Sequence, residues 1–170
     1  MVNNRALRLI LSDIRSSHNV GAILRTADAC RVELVYACGY TPYPAQGTGV
    51  RPAHVADANH KAIAKTALGA EKSVRVLHCP TTSEAVIEAR SDGFKIIMLE
   101  QSESSLSLFE FRPSTKIALV VGNEVTGLSP DLLSAADHVL ELPMLGSKES
   151  LNVAVASGIA MYQLRFSKAA

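Results

Sequence analysis

The chain has 170 residues, of which 48% are hydrophobic and 19% charged, and its formal net charge is +1 at pH 7. This length suits a single α/β domain with a sizeable core, and the composition argues against a disordered chain. No apolar run approaches the ~18 residues of a membrane helix and no signal segment opens the chain, so we expect a cytoplasmic protein without a membrane partner.

The first predicted elements are a strand over Leu7–Leu11 and a helix after it. Asn19 is a good N-cap residue, so the helix is predicted to begin there. The buried stripe of this helix comprises Val20, Ile23, Leu24, Ala27 and Cys30. Arg25 lies off that stripe. Because long helical side chains lean towards the N-terminus, we expect Arg25 to point back towards Asn19.

A long irregular segment, Gly39–Pro52, follows the second predicted strand, Glu33–Cys38. Its prolines and glycines fit neither helical nor strand periodicity, so we predict a surface loop. Loops of this length are usually functional or disordered. Aromatic and basic residues here suit stacking on bases or binding phosphate, and a merely solvated loop is the alternative. These residues are Tyr40, Tyr43, Arg51 and His54.

Strands and helices alternate along the rest of the chain. The further predicted strands are Val74–Leu77, Lys95–Leu99, Ile117–Val121 and Val139–Leu142. The further predicted helices are Ala56–Leu68, Ser83–Arg90 and one that opens at Ser150–Asn152 and runs to about Leu164. About six strands with helices between them predict a mostly parallel sheet covered by helices on both faces. Neither GxGxxG nor GxxxxGK[ST] marks a nucleotide site in this pattern.

Two polar segments follow buried strands in the last third of the chain. Gly122–Pro130 follows five consecutive apolar residues, which are typical of a strand buried on both faces. Pro143–Glu149 follows the last predicted strand. Ligands bind beyond the carboxyl ends of parallel strands, so we expect the two segments to face one pocket.

Three cysteines, Cys30, Cys38 and Cys79, form neither an even set nor a CxxC pair. This spacing favours buried free thiols over a disulfide framework or a zinc site. No metal is expected.

Three motifs of the chain, in order, resemble those of the SpoU/TrmH family of RNA 2′-O-ribose methyltransferases in the SPOUT superfamily. They are NVGAILRTADA, which holds Asn19 and Arg25, then VVGNEVTGLSP, then ELPMLGSKESLNVAVASGIAMYQL. The resemblance spans nearly the whole chain. It implies a SPOUT fold with a deep C-terminal trefoil knot, S-adenosylmethionine bound in the knot, and a homodimer. We expect residues 1–170 to form a single such domain, without the N-terminal RNA-binding extension of many relatives.

The resemblance also implies roles for individual residues. Arg25 matches the catalytic arginine and Asn19 the asparagine that supports it, while Glu124, Ser150 and Asn152 match polar residues of the second and third motifs. The residues expected to surround the cofactor are Leu99, Gly122, Asn123, Glu124, Leu142, Met144, Ser150 and Leu151. The candidate RNA contacts are Arg15, Arg51 and His54.

Methyl transfer from a sulfonium to a hydroxyl is an in-line displacement that requires alignment and loss of a proton. Arg25 can bind a backbone phosphate and thereby fix the neighbouring ribose. Because a guanidinium hardly loses its proton at neutral pH, we favour this positioning role over a role as base.

Each candidate also has a purely structural alternative. Arg25 could pair with Asp28, Asn19 and Ser150 could serve only as N-caps, and Glu124 could accept backbone hydrogen bonds in its own turn. For the whole chain, the leading hypothesis is an enzyme that methylates tRNA or rRNA. The alternatives are a non-catalytic SPOUT-like RNA-binding or assembly protein and a small enzyme for a free metabolite.

The last predicted helix is apolar nearly all round from Leu151 to Leu164. Such a helix needs cover on more than one side. A partner subunit, contacting this helix and the first helix, is the simplest cover, and an intrachain core position is the alternative. A charge asymmetry, +4 over residues 1–65 and −3 over residues 66–170, is compatible with RNA on the positive half.

Overall fold

The structure is a computed structural model of the chain and describes residues 5–45, 51–113 and 115–167. Within these ranges the strands are β1 Ala6–Ser12, β2 Leu34–Cys38, β3 Val76–Cys79, β4 Lys95–Leu99, β5 Leu106–Ser107, β6 Lys116–Val121 and β7 His138–Glu141. The helices are α1 Ser17–Ala29, α2 Ala53–Ala67, α3 Ala70–Ser73, α4 Thr82–Ser91, α5 Pro130–Ser134 and α6 Val153–Phe166.

All strands run parallel in one sheet of order β3-β2-β1-β6-β4-β7-β5. The predicted α/β fold is therefore confirmed, with seven strands in the described ranges instead of about six. The additional strand, β5, pairs only Leu106 and Ser107 with β7. Because β6, β4 and β7 are adjacent parallel strands in this order, their carboxyl ends are neighbours. The trefoil knot stays a prediction.

Side chains along each strand alternate between two cores, one on each face of the sheet. In β1, Leu7, Leu9 and Leu11 pack in the core that includes residues of α1, α2 and α6. Ile10 points to the opposite core, which α4 and α5 cover. Helices on both faces were predicted, and burial of both faces explains why the strands are apolar runs rather than alternating ones.

The predicted start of α1 is wrong, and so is the alternative in which Ser150 serves as an N-cap. The N-cap of α1 is Ser16, whose Oγ accepts a hydrogen bond from the Asn19 backbone nitrogen at 3.2 Å. Asn19 therefore lies inside the first turn of α1 and does not cap it. The N-cap of α6 is Asn152, whose Oδ1 accepts from the Ala154 nitrogen at 2.9 Å, so Ser150 lies before the helix and does not cap it either.

The predicted loop Gly39–Pro52 is only partly a surface loop. Thr41, Pro42 and Pro44 are buried, and α2 begins at Ala53, earlier than predicted. Residues 46–50 of this segment lie outside the described residues.

Two buried arginines join the ends of the described chain. Arg5 Nη1 donates to the carbonyl oxygens of Leu164 at 2.9 Å and Ser167 at 2.8 Å. Arg165 donates to the carbonyls of Cys30 and Arg5. Burial, together with the charge of Arg165, lowers the pKa of Arg5. We call this pair the arginine clamp. It fixes the end of α6 against the beginning of β1 and the end of α1.

Cys30, Cys38 and Cys79 are buried free thiols, as predicted. Burial raises the pKa of each thiol, which keeps all three protonated at neutral pH. In the described part of the chain, no group of three or more His, Cys, Asp or Glu side chains is placed to hold a metal ion. None of the helices that the structure describes has the length and apolar character needed to cross a membrane.

Candidate active site

A cavity of about 250 Å³ lies at the neighbouring carboxyl ends of β4, β6 and β7. Two segments form most of its wall, residues 122–129 after β6 (the β6 loop) and residues 143–152 after β7 (the β7 loop). All residues that were expected to surround the cofactor line this cavity, namely Leu99, Gly122, Asn123, Glu124, Leu142, Met144, Ser150 and Leu151. The sheet topology thus brings the two predicted polar segments to one pocket.

The chemistry of the lining suits a cationic ligand. Glu100, Glu124 and Glu141 contribute carboxylates, and no lysine or arginine occurs among the described residues of the lining. The charged side chains that a phosphate-bearing nucleotide would meet here are all negative among the described residues, which is unfavourable. A sulfonium with a flat, largely apolar adenosine fits better, because leucine, valine and methionine side chains form much of the remaining wall. The residues present therefore fit S-adenosylmethionine.

The β6 loop is held in one conformation by Asn123, which is 8% exposed. Its Oδ1 accepts hydrogen bonds from the Val125 and Thr126 nitrogens at 2.8 and 3.0 Å. Its Nδ2 donates to the Asp13 carbonyl at 2.8 Å and to the Tyr40 hydroxyl at 2.6 Å. The side-chain amide is thus fully used within the protein, and the Asn123 carbonyl accepts from the Gly127 nitrogen at 3.0 Å, so this residue shapes the β6 loop.

Close backbone packing also shapes the β6 loop. A Cβ on Gly122 would lie 2.7 Å from the Gly127 carbonyl carbon, so only glycine fits at position 122. Glu100, which directly follows β4, holds the second half of the β6 loop, because its Oε2 accepts a hydrogen bond from the Leu128 nitrogen at 2.9 Å. Glu100 was not among the predicted site residues. The available signal was its position directly after a buried strand, at the same edge of the sheet as the other loops.

A hydrogen-bonded network joins the three sequence motifs at this pocket. The carboxylate of Glu124 accepts from Asn19 Nδ2 at 2.9 Å and from the Arg15 nitrogen at 3.1 Å. Asn152 Nδ2 in turn donates to Asn19 Oδ1 at 3.2 Å. Burial alone would raise the pKa of Glu124, but the hydrogen bonds from the Asn19 amide and from backbone nitrogens lower it below its usual value. Glu124 is therefore a fixed, ionised acceptor at neutral pH.

Arg25 lies outside this network and does not line the cavity. Its side chain is exposed and forms neither a hydrogen bond nor an ion pair with the residues that the structure describes. The alternative pairing with Asp28 is absent, since Asp28 accepts from the Ser73 hydroxyl at 2.6 Å instead. No hydrogen bond from Arg25 to the Asn19 end of α1 is made among the described residues either.

The candidate RNA contacts differ in whether their side chains are already engaged by other residues of the protein. Arg15 and His54 are exposed. Arg51 is engaged within the protein, because its guanidinium carbon lies 3.3 Å from the Tyr43 ring centroid and its Nη2 donates to the Tyr43 carbonyl at 3.0 Å. Tyr43 stacks in turn on His78, with ring centroids 4.8 Å apart. Arg51 therefore has fewer donors available for phosphate than the sequence suggested.

An apolar groove runs between α1 and α6. Thr26 forms its α1 side, and its other lining residues include Phe109, Val155, Gly158, Tyr162 and Phe166. Val155, Tyr162 and Phe166 are 51%, 48% and 50% exposed, so a large apolar face of α6 is uncovered in the single chain. This agrees with the apolar sequence of the helix.

The model of the SpoU rRNA Methylase family matches residues 6–162. The chain belongs to this family. This SpoU-family chain is 31% identical over 157 residues to a tRNA (guanosine(18)-2′-O)-methyltransferase of Aquifex aeolicus, a match that covers 92% of the chain and 67% of the relative. A methyltransferase of the same description from Escherichia coli is covered over 62% of its length, so the chain spans about two thirds of these curated relatives.

Solved structures give the same result for the SpoU fold. The crystal structure of the TrmH/SpoU tRNA modifying enzyme of A. aeolicus has a TM-score of 0.76 and 27% identity, and the match covers 96% of this chain and 76% of that one. An AdoMet-bound rRNA methyltransferase from Sinorhizobium meliloti has a TM-score of 0.79 and 22% identity, with 97% of this chain and 58% of that chain covered. The second likeness supports the fold alone.

Proposed function

We propose that this chain transfers the methyl group of S-adenosylmethionine to a ribose 2′-hydroxyl of structured RNA, either tRNA or rRNA. The observation that carries the proposal is the convergence of three distant motifs, through Asn19, Glu124 and Asn152, beside a pocket rich in carboxylates. Membership of the SpoU family supports it. Such substrates imply a cytoplasmic location.

The cofactor supplies an electrophilic methyl group on a cationic sulfonium when it is bound. Leu142, Met144 and Leu151 would contact its apolar parts, and the pocket carboxylates complement its positive charge. Glu124 holds the Asn19 amide, which keeps the amides of Asn19 and Asn152 fixed beside the pocket. Fixed polar groups at this position orient the acceptor ribose and lower the entropic part of the barrier.

Arg25 acts on the RNA in this proposal. Its forked donors hold a backbone phosphate beside the acceptor ribose, which needs no unusual protonation state. The hydroxyl proton leaves to phosphate or water as the new bond forms. Ser150, which is exposed at the cavity wall and precedes α6, has a hydroxyl available for the cofactor or the ribose.

A homodimer through α1 and α6 is part of the same proposal. Val155, Tyr162 and Phe166 form an exposed apolar face that a second copy would cover. Arg25 precedes Thr26, which lines the same groove, and has no partner among the described residues of its own chain. A second copy seated here brings Arg25 beside the partner, which gives this unpaired cation a role at a composite site.

Tyr162→Glu tests the dimer, because a buried carboxylate opposes association. Sedimentation should change from dimer to monomer and methyl transfer should be lost. Ile87→Glu on the outer surface of α4 is the control and should remain dimeric and active. A monomeric unsubstituted protein with full activity would contradict this part of the proposal.

The main test combines purified protein, methyl-labelled S-adenosylmethionine and separate pools of tRNA and rRNA. Nuclease digestion should release labelled 2′-O-methylnucleosides from one pool. Cofactor binding without any labelled RNA would favour the non-catalytic RNA-binding alternative. Absence of any affinity for RNA would favour an enzyme for a free metabolite.

Arg25→Ala should reduce methyl transfer by about 10- to 100-fold, since a charge-assisted hydrogen bond is lost from the acceptor side. The affinity for S-adenosylmethionine, measured by calorimetry, should hardly change. Arg75→Ala is the matched control, because Arg75 is an exposed arginine just before β3, at the opposite edge of the sheet. Equal losses of cofactor binding and transfer in Arg25→Ala would refute the assigned role.

A further inference from the structure

Tyr40 is an exposed aromatic residue beside the proposed site of methyl transfer. It follows β2, at the same edge of the sheet as the β6 loop. The residue is 60% exposed. Nevertheless its hydroxyl accepts a hydrogen bond from Asn123 Nδ2 at 2.6 Å, and its backbone nitrogen donates to Asp13 Oδ1 at 3.2 Å.

The turn that carries Tyr40 is fixed on both sides. Gly39 has φ +59°, and a Cβ at this position would lie 2.0 Å from Asp13 Oδ1, so the turn requires glycine. Thr41 is 2% exposed, and its hydroxyl accepts from the Ile14 nitrogen at 3.0 Å and donates to the Leu11 carbonyl at 3.1 Å. The backbone and the hydroxyl of Tyr40 are thus anchored, while more than half of the residue's surface is open to solvent.

The anchor of this ring leads directly to the network at the pocket. Asn123, which holds the Tyr40 hydroxyl, precedes Glu124, whose carboxylate holds Asn19 and the Arg15 backbone. Arg15 itself is exposed. A fixed aromatic surface, a cation and the network of polar groups therefore lie along one edge of the sheet.

Exposed aromatic rings are costly in water, whereas an unstacked RNA base gains by stacking on such a ring. A ring that is already immobile loses little entropy when a base stacks on it. Every base has a flat face, so stacking positions a nucleotide without selecting its sequence.

We propose that Tyr40 is a positioning residue for the RNA substrate, on whose ring the base of the methylated nucleotide or of its direct neighbour stacks. This inference rests on the proposed function. The anchored backbone of the turn, aided by the bond to Asn123, keeps the ring in register with Glu124, so stacking brings the ribose to the polar network.

Substitutions of Tyr40 separate stacking from a structural role. Tyr40→Leu should raise KM for the methylated RNA by about 5- to 100-fold, with kcat and the affinity for S-adenosylmethionine nearly unchanged. Tyr40→Phe, which keeps the ring and loses the hydroxyl, should restore most of the affinity. If the residue only braces the β6 loop, Tyr40→Phe will fail as badly as Tyr40→Leu, and both will lose cofactor binding.

Fluorescence tests the contact itself, because the chain contains no tryptophan. Tyr40→Trp introduces a single tryptophan, which can be excited apart from the remaining tyrosines, and adding the RNA identified in the methylation assay should quench it. RNA lacking the base at the methylated nucleotide or at either neighbour should quench less at one of these positions. Ile87→Trp is the control, since Ile87 is 68% exposed on α4, and RNA should leave its emission unchanged.

The outcomes distinguish the two proposals. If the unsubstituted protein methylates no RNA, both are wrong. If it methylates RNA while Tyr40→Leu keeps the same KM, or while the two tryptophan variants respond equally to RNA, only the role of Tyr40 is wrong.

Discussion

The two loops that form the cavity are built differently. In the β6 loop, the Asn123 side chain and the Glu100 carboxylate make five hydrogen bonds to the loop backbone and neighbouring segments. The β7 loop is mostly exposed, and Leu145 is 98% exposed. Two of the hydrogen bonds that join it to other segments involve side chains. Gln101 Nε2 donates to the Glu149 carbonyl at 2.8 Å, and Asn152 Nδ2 donates to Asn19 Oδ1.

This difference separates two tasks. The β6 loop carries Glu124, whose carboxylate holds the Asn19 amide and the Arg15 backbone, so its geometry is fixed before any ligand arrives. The β7 loop supplies Met144 and Leu151 as apolar wall, where a small adjustment costs little. A preformed polar half and an adaptable apolar half suit a ligand whose reactive end must be aligned more strictly than its adenosine.

The largest effect is expected from adding one methyl group to each loop. Gly122→Ala places a Cβ 2.7 Å from a backbone carbon that cannot easily move, and should destabilise the protein by about 1–3 kcal/mol and weaken cofactor binding. Gly146→Ala in the β7 loop meets no atom within 4 Å and should change neither. Urea unfolding and calorimetry with S-adenosylmethionine measure both. Similar losses in the two variants would remove the contrast between the loops.

An intermediate effect is expected at Asn152, where the β7 loop joins α6. Asn152→Ala loses the N-cap and should cost about 1 kcal/mol of unfolding free energy. Asn152→Asp keeps an acceptor for the Ala154 nitrogen but cannot donate to Asn19. Its thermal stability should stay near that of the unsubstituted protein while methyl transfer falls. If Asn152→Asp is fully active, the bond to Asn19 has no part in the reaction.

The smallest effect is a pH dependence of the β6 loop. Because the folded state lowers the pKa of Glu124, its carboxylate stabilises the protein above the usual glutamate range, and this contribution disappears as pH falls through the lowered value. Glu124→Gln lacks the carboxylate. The difference in unfolding free energy between the two proteins should therefore be constant at neutral pH and shrink in acid. A difference that grows in acid would show that the pKa is raised.

Local sequence patterns predicted most of the fold, because the central strands are apolar runs. The third strand was predicted two residues too early, at Val74–Leu77, since β3 is Val76–Cys79 and includes a polar histidine. β5 was not predicted, since two residues carry no periodicity and pair only because β7 lies beside them. Asn19 was taken for an N-cap because it has the right side chain. Ser16 has one too, and only the structure shows which backbone nitrogen each can reach.

The wall of the pocket was also predictable, since the family motifs place it at the ends of known strands. The roles of the individual side chains in this wall were harder to predict. Asn123 was expected at the cofactor, yet its amide is used up by Asp13, Tyr40 and its own turn. These partners are far apart in sequence, so no local pattern reveals them. Arg25 has no partner among the described residues, and this too depends on how the helices pack and not on a local pattern.

The arginine clamp also determines where additional polypeptide can attach. It brings Arg5 and Ser167 together at the amino edge of β1, whereas the pocket opens at the carboxyl edge. A strand of the length of β1 spans about 20 Å. Polypeptide attached before Arg5 or after Ser167 therefore starts from the same corner, and must pass along the sheet before it can reach the pocket at the far edge.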